Sequence, residues 1–289
     1  MTASWPERLR GYAVPDVRSR WDVRDTIRYA LGVGAALGSS DETRFVYEAG
    51  LVALPTMALT LGTPGFWLME PDLGLDWAQI LHGEQSLKLH RPLPAQGDLI
   101  GKTWIGPLSD KGAGRAALLH CIRHLYDPTT QALVAEMEEL WLLRGAGGFG
   151  GENIPLGIGL APMPTRLPDR SVALPTARNQ ALLYRLTGDR NPLHVLPDIA
   201  EQAGFDRPIL HGLATMGLVA RALIQACGDG DAARLTAIKM RFTAPVLPGD
   251  EVLTDIWDEA GSVRFRARVL KREAFVVDGG SATFMKEKA

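Results

Sequence analysis

The chain is poor in cysteine: Cys121 and Cys227 are the only two among 289 residues. That excludes a disulfide framework and suits a reducing compartment. No apolar run reaches the roughly 20 residues that a membrane-spanning helix needs. Residues 1–25 are mixed and charged, without the apolar core of a signal peptide. The net charge is only −2, which argues against a general nucleic-acid-binding surface. The terminal Lys286-Glu-Lys-Ala289 is not a peroxisomal address. The expectation is a cytoplasmic globular protein with no membrane or nucleic-acid partner, long enough to bury a large core.

Cofactor signatures are missing as well. Gly32-Val-Gly34-Ala-Ala-Leu-Gly38 has neither the glycine spacing nor the preceding strand of a dinucleotide fingerprint, and reads as a helix terminus. Gly145-Ala-Gly-Gly-Phe-Gly-Gly151 lacks the Lys-Ser/Thr of a phosphate loop. His120 and His124 share a strand face, but no third ligand lies near them in sequence, so a structural role is expected and no metal. Nothing calls for flavin or nicotinamide.

What is present concentrates in residues 184–212. Tyr184-Arg-Leu-Thr-Gly188-Asp189-Arg-Asn191-Pro192-Leu-His194 sets three polar side chains beside glycine and proline. On an unbroken helix, residues five apart point about 140° away from each other. Gly188 permits unusual backbone angles, and Pro192 pushes Asn191 out of the helical region. The helix carrying Tyr184 should therefore stop, leaving a loop that turns Asp189 and His194 toward one point. A carboxylate and an imidazole that converge can hold and polarise a water molecule. Downstream, Gly212 opens an apolar run to Cys227, which as a buried helix is about 24 Å long. Its first N–H groups have no partner inside the helix, and a glycine there lets a ligand oxygen approach. That geometry suits a thioester oxygen turning into an enolate.

The run from Tyr184 to His194, with Ala200 following, resembles the signature of the hydratase 2 family, the (R)-specific 2-enoyl-CoA hydratases grouped with MaoC-like dehydratases. Gly204-Phe205-Asp-Arg-Pro208-Ile-Leu-His211-Gly212-Leu is similar to the family's next block. His82-Gly83-Glu84-Gln85, Asp110-Lys-Gly112, Gly147-Gly-Phe149-Gly-Gly151 and Pro245-Val-Leu-Pro248-Gly249 resemble the hydratase domain of peroxisomal multifunctional enzymes, so the likeness spans nearly the whole chain. One departure stands out: Leu196 occupies a position where the family usually has Asp. The resemblance implies an α+β double hot-dog fold, with two antiparallel sheets each wrapped around a long buried helix. It implies hydration of trans-2-enoyl-CoA to (3R)-3-hydroxyacyl-CoA, with Asp189, His194, Asn191 and the Gly212 N–H as the catalytic set. Tyr184, His211, Lys239 and Arg241 are expected to contact substrate. Coenzyme A enters only as part of the substrate, with no other cofactor, and a homodimer is the association relatives commonly form.

The organisation is consistent with a repeat. Arg91-Pro92-Leu-Pro94-Ala-Gln-Gly97-Asp98 echoes Ala244-Pro245-Val-Leu-Pro248-Gly249-Asp250. Residues 1–144 read as a first half, 145–175 as a glycine- and proline-rich linker, and 176–289 as a second half bearing the motif. Helices are expected over 25–37 and, buried, over 51–61. Strands are expected over 86–90, 100–105, 115–126, 131–143, 239–242, 252–257, 263–270, 275–277 and 281–284. Leu54-Pro55-Thr56 takes the place of Leu210-His211-Gly212, and proline has no N–H to donate. With no Asp or His in the first half answering the dyad, that half should be catalytically silent and shape the acyl pocket, above all through the loop at 62–74. Lys239, Arg241, Arg264, Arg266 and Arg268 could form a basic rim for the CoA phosphates. Two rival readings are another hot-dog thioester enzyme, either a dehydratase or a thioesterase, and a non-catalytic acyl-CoA-binding module.

Overall fold

The computed structural model describes residues 3–38 and 41–285. The C-terminal stretch 286–289 discussed above lies outside them. The elements in order are α1 (Trp5–Gly11), β1 (Val17–Trp21), α2 (Val23–Gly32), β2 (Ile80–Leu89), β3 (Gly97–Asp110), β4 (Ala117–Tyr126) and β5 (Leu133–Leu143). The second half supplies β6 (Arg170–Pro175), α3 (Gln180–Tyr184), α4 (Pro197–Gln202), α5 (Gly212–Cys227), β7 (Leu235–Phe242), β8 (Glu251–Glu259), β9 (Ser262–Val269) and β10 (Ala274–Phe284). All ten strands join one sheet in the order β1-β3-β4-β5-β2-β7-β10-β9-β8-β6. From its centre the order repeats outward: β2, β5, β4, β3, β1 on one side and β7, β10, β9, β8, β6 on the other. The seam is an antiparallel pairing that sets Gln85 opposite Met240 and Leu87 opposite Ile238. This is the α+β double hot-dog arrangement. Among the described residues no helix is long and apolar enough to cross a membrane.

The two halves differ where the repeat suggested symmetry. α5 is a full helix whose residues from Ala214 to Ile224 are all buried. Its counterpart, expected as a helix over 51–61, is a six-residue 3-10 segment, Pro55–Thr60. Pro55 blocks its extension backward. Beyond Leu61 the chain turns through Gly62 at φ +57°, where a Cβ would lie 2.5 Å from the Gly101 Cα. Arg123 then donates to the carbonyls of Leu59 (2.8 Å) and Leu61 (3.3 Å), which leaves no continuing turn to use them. α2 begins two residues earlier than the expected helix, at an Asp22/Asp25 capping box, and stops at Gly32 instead of 37. Gly34 and Ala36, at φ +80° and +61°, carry the chain away from it. The two strands expected over 275–284 are one, β10, with a shift in register between Asp278 and Ser281.

Residues 170–175, expected as linker, form β6, an edge strand paired with β8. The rest of the linker is tied to the sheet. The Asp110 carboxylate accepts backbone N–H bonds from Gly148 (2.6 Å) and Gly150 (2.9 Å), and Glu84 accepts from the Ile158 N–H at 2.9 Å. Further on, Lys239 donates to the Gly159 carbonyl at 2.7 Å, and Arg264 donates to the Ala161 carbonyl.

The apolar run of α5 hides a charge. Arg221 is 2 % exposed; its Nε donates to Glu42 at 2.8 Å and its Nη1 to the Val33 carbonyl at 2.8 Å, so the pair joins the two halves. Removing Glu42 leaves a buried guanidinium uncompensated. Glu42→Ala should cost about 3 kcal/mol, the low end for a broken buried pair because Glu42 is still partly wet. A denaturant unfolding curve that moves by less than about 0.5 kcal/mol would show that the pair does not hold the halves together.

Candidate active site

The helix bearing Tyr184 stops where the glycine stands. α3 runs into one 3-10 turn, Arg185–Thr187, and Gly188 at φ +125° ends it. Asp189 follows, and its Oδ1 accepts the Asn191 N–H at 3.1 Å. Asn191 in turn caps the short Pro192–His194 turn, its Oδ1 accepting the Leu193 N–H at 3.0 Å. These two side-chain-to-backbone bonds give the loop the shape that brings Asp189 and His194 to one wall.

His194 is held from behind. Its Nδ1 lies 2.9 Å from the Ile209 carbonyl; a carbonyl only accepts, so Nδ1 carries the proton and Nε2 is left with a free lone pair. Burial pushes its pKa below the ordinary 6.5, against the opposing charge of Asp189. Beneath it lies His211, whose ring stacks on His194 at 3.7 Å between centroids and 29° between planes. The Nε2 of His211 faces the Asp189 backbone carbonyl at 3.3 Å. Burial holds His211 well below 6.5, and the neighbouring His194 adds to this. His211 is 1 % exposed and is not among the residues lining the cavity. It stands behind the dyad, where contact with substrate had been expected.

Asp189, Asn191, His194, Gly212 and Tyr184 all line one cavity of about 440 Å³. Gly212 is the first residue of α5, with His211 in the cap position at φ −58°, ψ 139°. Its N–H therefore has no partner inside the helix and lies at the positive end of the dipole. The Tyr184 hydroxyl is buried without a hydrogen-bond partner among the described residues, and burial keeps it a neutral phenol.

The expected basic rim is arranged differently. Lys239 and Arg241 do not line the cavity. Lys239 is tied to Gly159 as above, and Arg241 donates to Glu84 at 2.6 and 2.8 Å. Arg264 is buried, and Arg266 and Arg268 lie 4.0 and 3.7 Å from Asp255. His120 faces Glu138 at 3.0 Å and His124 faces the Tyr126 hydroxyl at 3.1 Å, both outside the cavity.

Of the cavity residues with titratable side chains, Arg123, Glu139 and Arg144 had no role in the sequence reading, and His82 entered only within a family-like run. His82 stacks on Trp141 at 4.4 Å and meets the edge of Phe242 at 5.2 Å. Its Nε2 has no partner among the described residues. Beside that run, a local signal was the Gly83 that follows His82 and marks a break in register between β2 and β5.

Two buried neutral imidazoles make stability depend on pH. Below pH 6.5 the unfolded chain binds protons that the native His194 and His211 do not. Stability is therefore full above 6.5 and falls as pH drops through 6.5 toward the lower folded values. The melting temperature should decline over that range, and His211→Phe, which keeps the stacked ring, should flatten the decline. An unchanged slope in the variant would remove His211 as a source.

Ligand atoms of Asp189, His194 and His211 lie within 4.8 Å of one another, a donor set that could also hold a divalent ion. His211 Nδ1 is buried without a partner among the described residues, and the commitment of His194 Nδ1 to Ile209 leaves Nε2 of His194 and a carboxylate oxygen of Asp189 free as well. That pair can hold a water molecule without a metal.

The ten-stranded sheet and the Asp/His loop before a central helix define a two-unit hot-dog enzyme. Comparison with known proteins identifies both units. The MFE-2 hydratase 2 N-terminal domain matches residues 20–145 and the MaoC like domain matches 160–277. The chain is 41% identical over 276 residues to 3-hydroxyacyl-thioester dehydratase Y of Mycobacterium tuberculosis, covering 92% of this chain and 93% of that one. It is 38% identical over 288 residues to the peroxisomal enoyl-CoA hydratase 2 of Arabidopsis thaliana, covering 94% and 93%. The solved structure of full-length peroxisomal multifunctional enzyme type 2 from Drosophila melanogaster superposes with a TM-score of 0.80 at 33% identity, over 93% of this chain. The chain spans only about half of that multifunctional protein, 48%. The chain belongs to the MaoC-like hydratase 2 family of enzymes.

Proposed function

We propose that the protein catalyses the reversible hydration of trans-2-enoyl-CoA to (3R)-3-hydroxyacyl-CoA. The observation that carries this is the meeting of Asp189 and His194 on the wall of a cavity that also holds the free helix start at Gly212. A water molecule held by the Asp189 carboxylate and His194 Nε2 attacks C3. One of the two groups takes its proton, and C2 is protonated on the same face; because the groups are coupled, the proton belongs to the pair. Negative charge that builds on the thioester oxygen is met by the Gly212 N–H. Asn191 holds the loop, and Tyr184 packs beside the reacting carbons. The (3R) configuration is the one that the hydratase 2 likeness supports. Arg241, exposed on β7 next to the cavity-lining Phe242, is the cation proposed to meet the CoA phosphates.

The test follows enoyl absorbance and free thiol together, with the configuration of the product determined. Loss of absorbance without thiol, giving the (3R) alcohol, is expected. Thiol release would make the protein a thioesterase, and tight binding without turnover would make it a binding module. Dialysis against a chelator should leave the rate unchanged. A rate lost to the chelator and restored by a divalent cation would replace the water-holding dyad with a metal held by Asp189, His194 and His211.

A further inference from the structure

We propose that the cavity is built for an acyl chain bearing a hydroxyl group beyond the double bond, in place of a plain hydrocarbon tail. This rests on the enoyl-thioester reading above and names its substrate class. The observation is a charged pair set into the cavity wall of the first half. Arg123 on β4 and Glu139 on β5 both line the cavity, with side chains only 4% and 12% exposed and 3.4 Å apart. Thr103 on β3 is the cross-strand partner of Arg123, so the two share a face, and it lines the same cavity. The Thr103 hydroxyl and the Arg123 Nε have no hydrogen-bond partner among the described residues. His82 feels the charge of both Glu139 and Asp189, which places the pair and the reacting centre within electrostatic reach of one imidazole.

A hydrocarbon tail laid against this wall would strip water from a carboxylate and a guanidinium and return nothing. The pattern of bonds already made says what the wall is missing. Arg123 keeps one unused N–H, at Nε; its Nη2 donates to the Leu59 carbonyl at 2.8 Å and to Glu139, and its Nη1 to the Leu61 carbonyl at 3.3 Å. Glu139 has capacity left. Its Oε1 takes one long bond from Arg123, and its Oε2 takes one from the Trp141 Nε1 at 3.2 Å, whereas a carboxylate can accept about four. The wall therefore offers spare acceptor capacity on Glu139 beside an unused N–H on Arg123 and the unpartnered Thr103 hydroxyl. A hydroxyl meets both needs, donating its proton to Glu139 and accepting from Arg123 Nε or Thr103. A keto oxygen brings no proton, and a second carboxylate would face the charge of Glu139.

The experiment compares trans-2-enoyl-CoA thioesters of equal length ending in methyl, hydroxyl, keto or carboxylate, at several lengths. The short trans-2-butenoyl-CoA, whose chain ends one carbon past C3, reports the reaction alone. At the best length, the hydroxyl compound should exceed the methyl compound by about 10–100-fold in kcat/KM, the range of one hydrogen bond to a charged group. A double variant, Arg123→Met with Glu139→Leu, replaces the pair by apolar side chains of similar size, a change that buried pairs often tolerate. It should bring the ratio close to one. Equal or better rates for the methyl, keto or carboxylate compound at every length overturn the proposal, as does a folded double variant that keeps the preference. If the double variant does not fold, the wild-type series decides alone. Turnover of the butenoyl thioester with no hydroxyl preference sinks the proposal and spares the hydratase reading. No turnover of any compound sinks both.

Discussion

Asp189→Asn and His194→Gln should each lower the hydration rate by about 10²–10⁴ while leaving a cooperative unfolding transition. Asn is the informative replacement at Asp189, because its oxygen can still accept the Asn191 N–H that shapes the loop. What it cannot do is take a proton. At His194 the free Nε2 exists because Nδ1 is bound to the Ile209 carbonyl, and burial keeps the ring neutral. In the proposed mechanism both groups act as proton acceptors on a single water, so their losses should not add. The double variant should be hardly slower than the worse single one. Independent penalties would mean that the two side chains do separate jobs. Either single variant retaining more than about a tenth of the wild-type rate would contradict its role in moving the proton.

Much of this site was legible in the sequence because its determinants are local. Gly188 and Pro192 stop a helix within a few residues, and the polar groups between them have nowhere else to go. α5 was legible for its length and its nearly unbroken apolar character. The parts that were not legible depend on distant partners. The short segment Pro55–Thr60 looks like a helix in one dimension; it is cut short by Arg123, more than sixty residues away, and by the close approach of Gly62 to Gly101. Lys239 and Arg241 were candidates for a basic rim by charge alone, which could not show that the Gly159 carbonyl and Glu84 would engage them. Arg123 stands in step with the buried Leu119, Cys121 and Leu125 on β4, and Glu139 with Ala135, Met137 and Leu143 on β5. A charge that interrupts each apolar row was a signal in the spacing, but only the fold shows that the two interruptions meet.

Gly212→Pro should lower the rate by about 10²–10³ with little change in stability, because it removes one N–H and almost nothing else. Elsewhere in a helix, proline breaks a hydrogen bond and clashes with the preceding turn. At the first helical position the N–H is free in any case, and the ring's fixed φ suits the helix. The residue before a proline must be extended, and His211 already is, at φ −58° and ψ 139°. A Cβ at 212 would meet the Phe242 ring at 3.4 Å, an ordinary contact. Gly212→Ala is therefore the matched control: it adds the same first carbon, keeps the N–H, and should lose far less. The signature expected of an oxyanion donor is a fall in kcat that exceeds any rise in KM, since the charge it meets appears only as the reaction proceeds. If alanine and proline at this position reduce the rate equally, the loss is one of space along the cavity wall. In that case the free N–H of α5 does not stabilise the enolate.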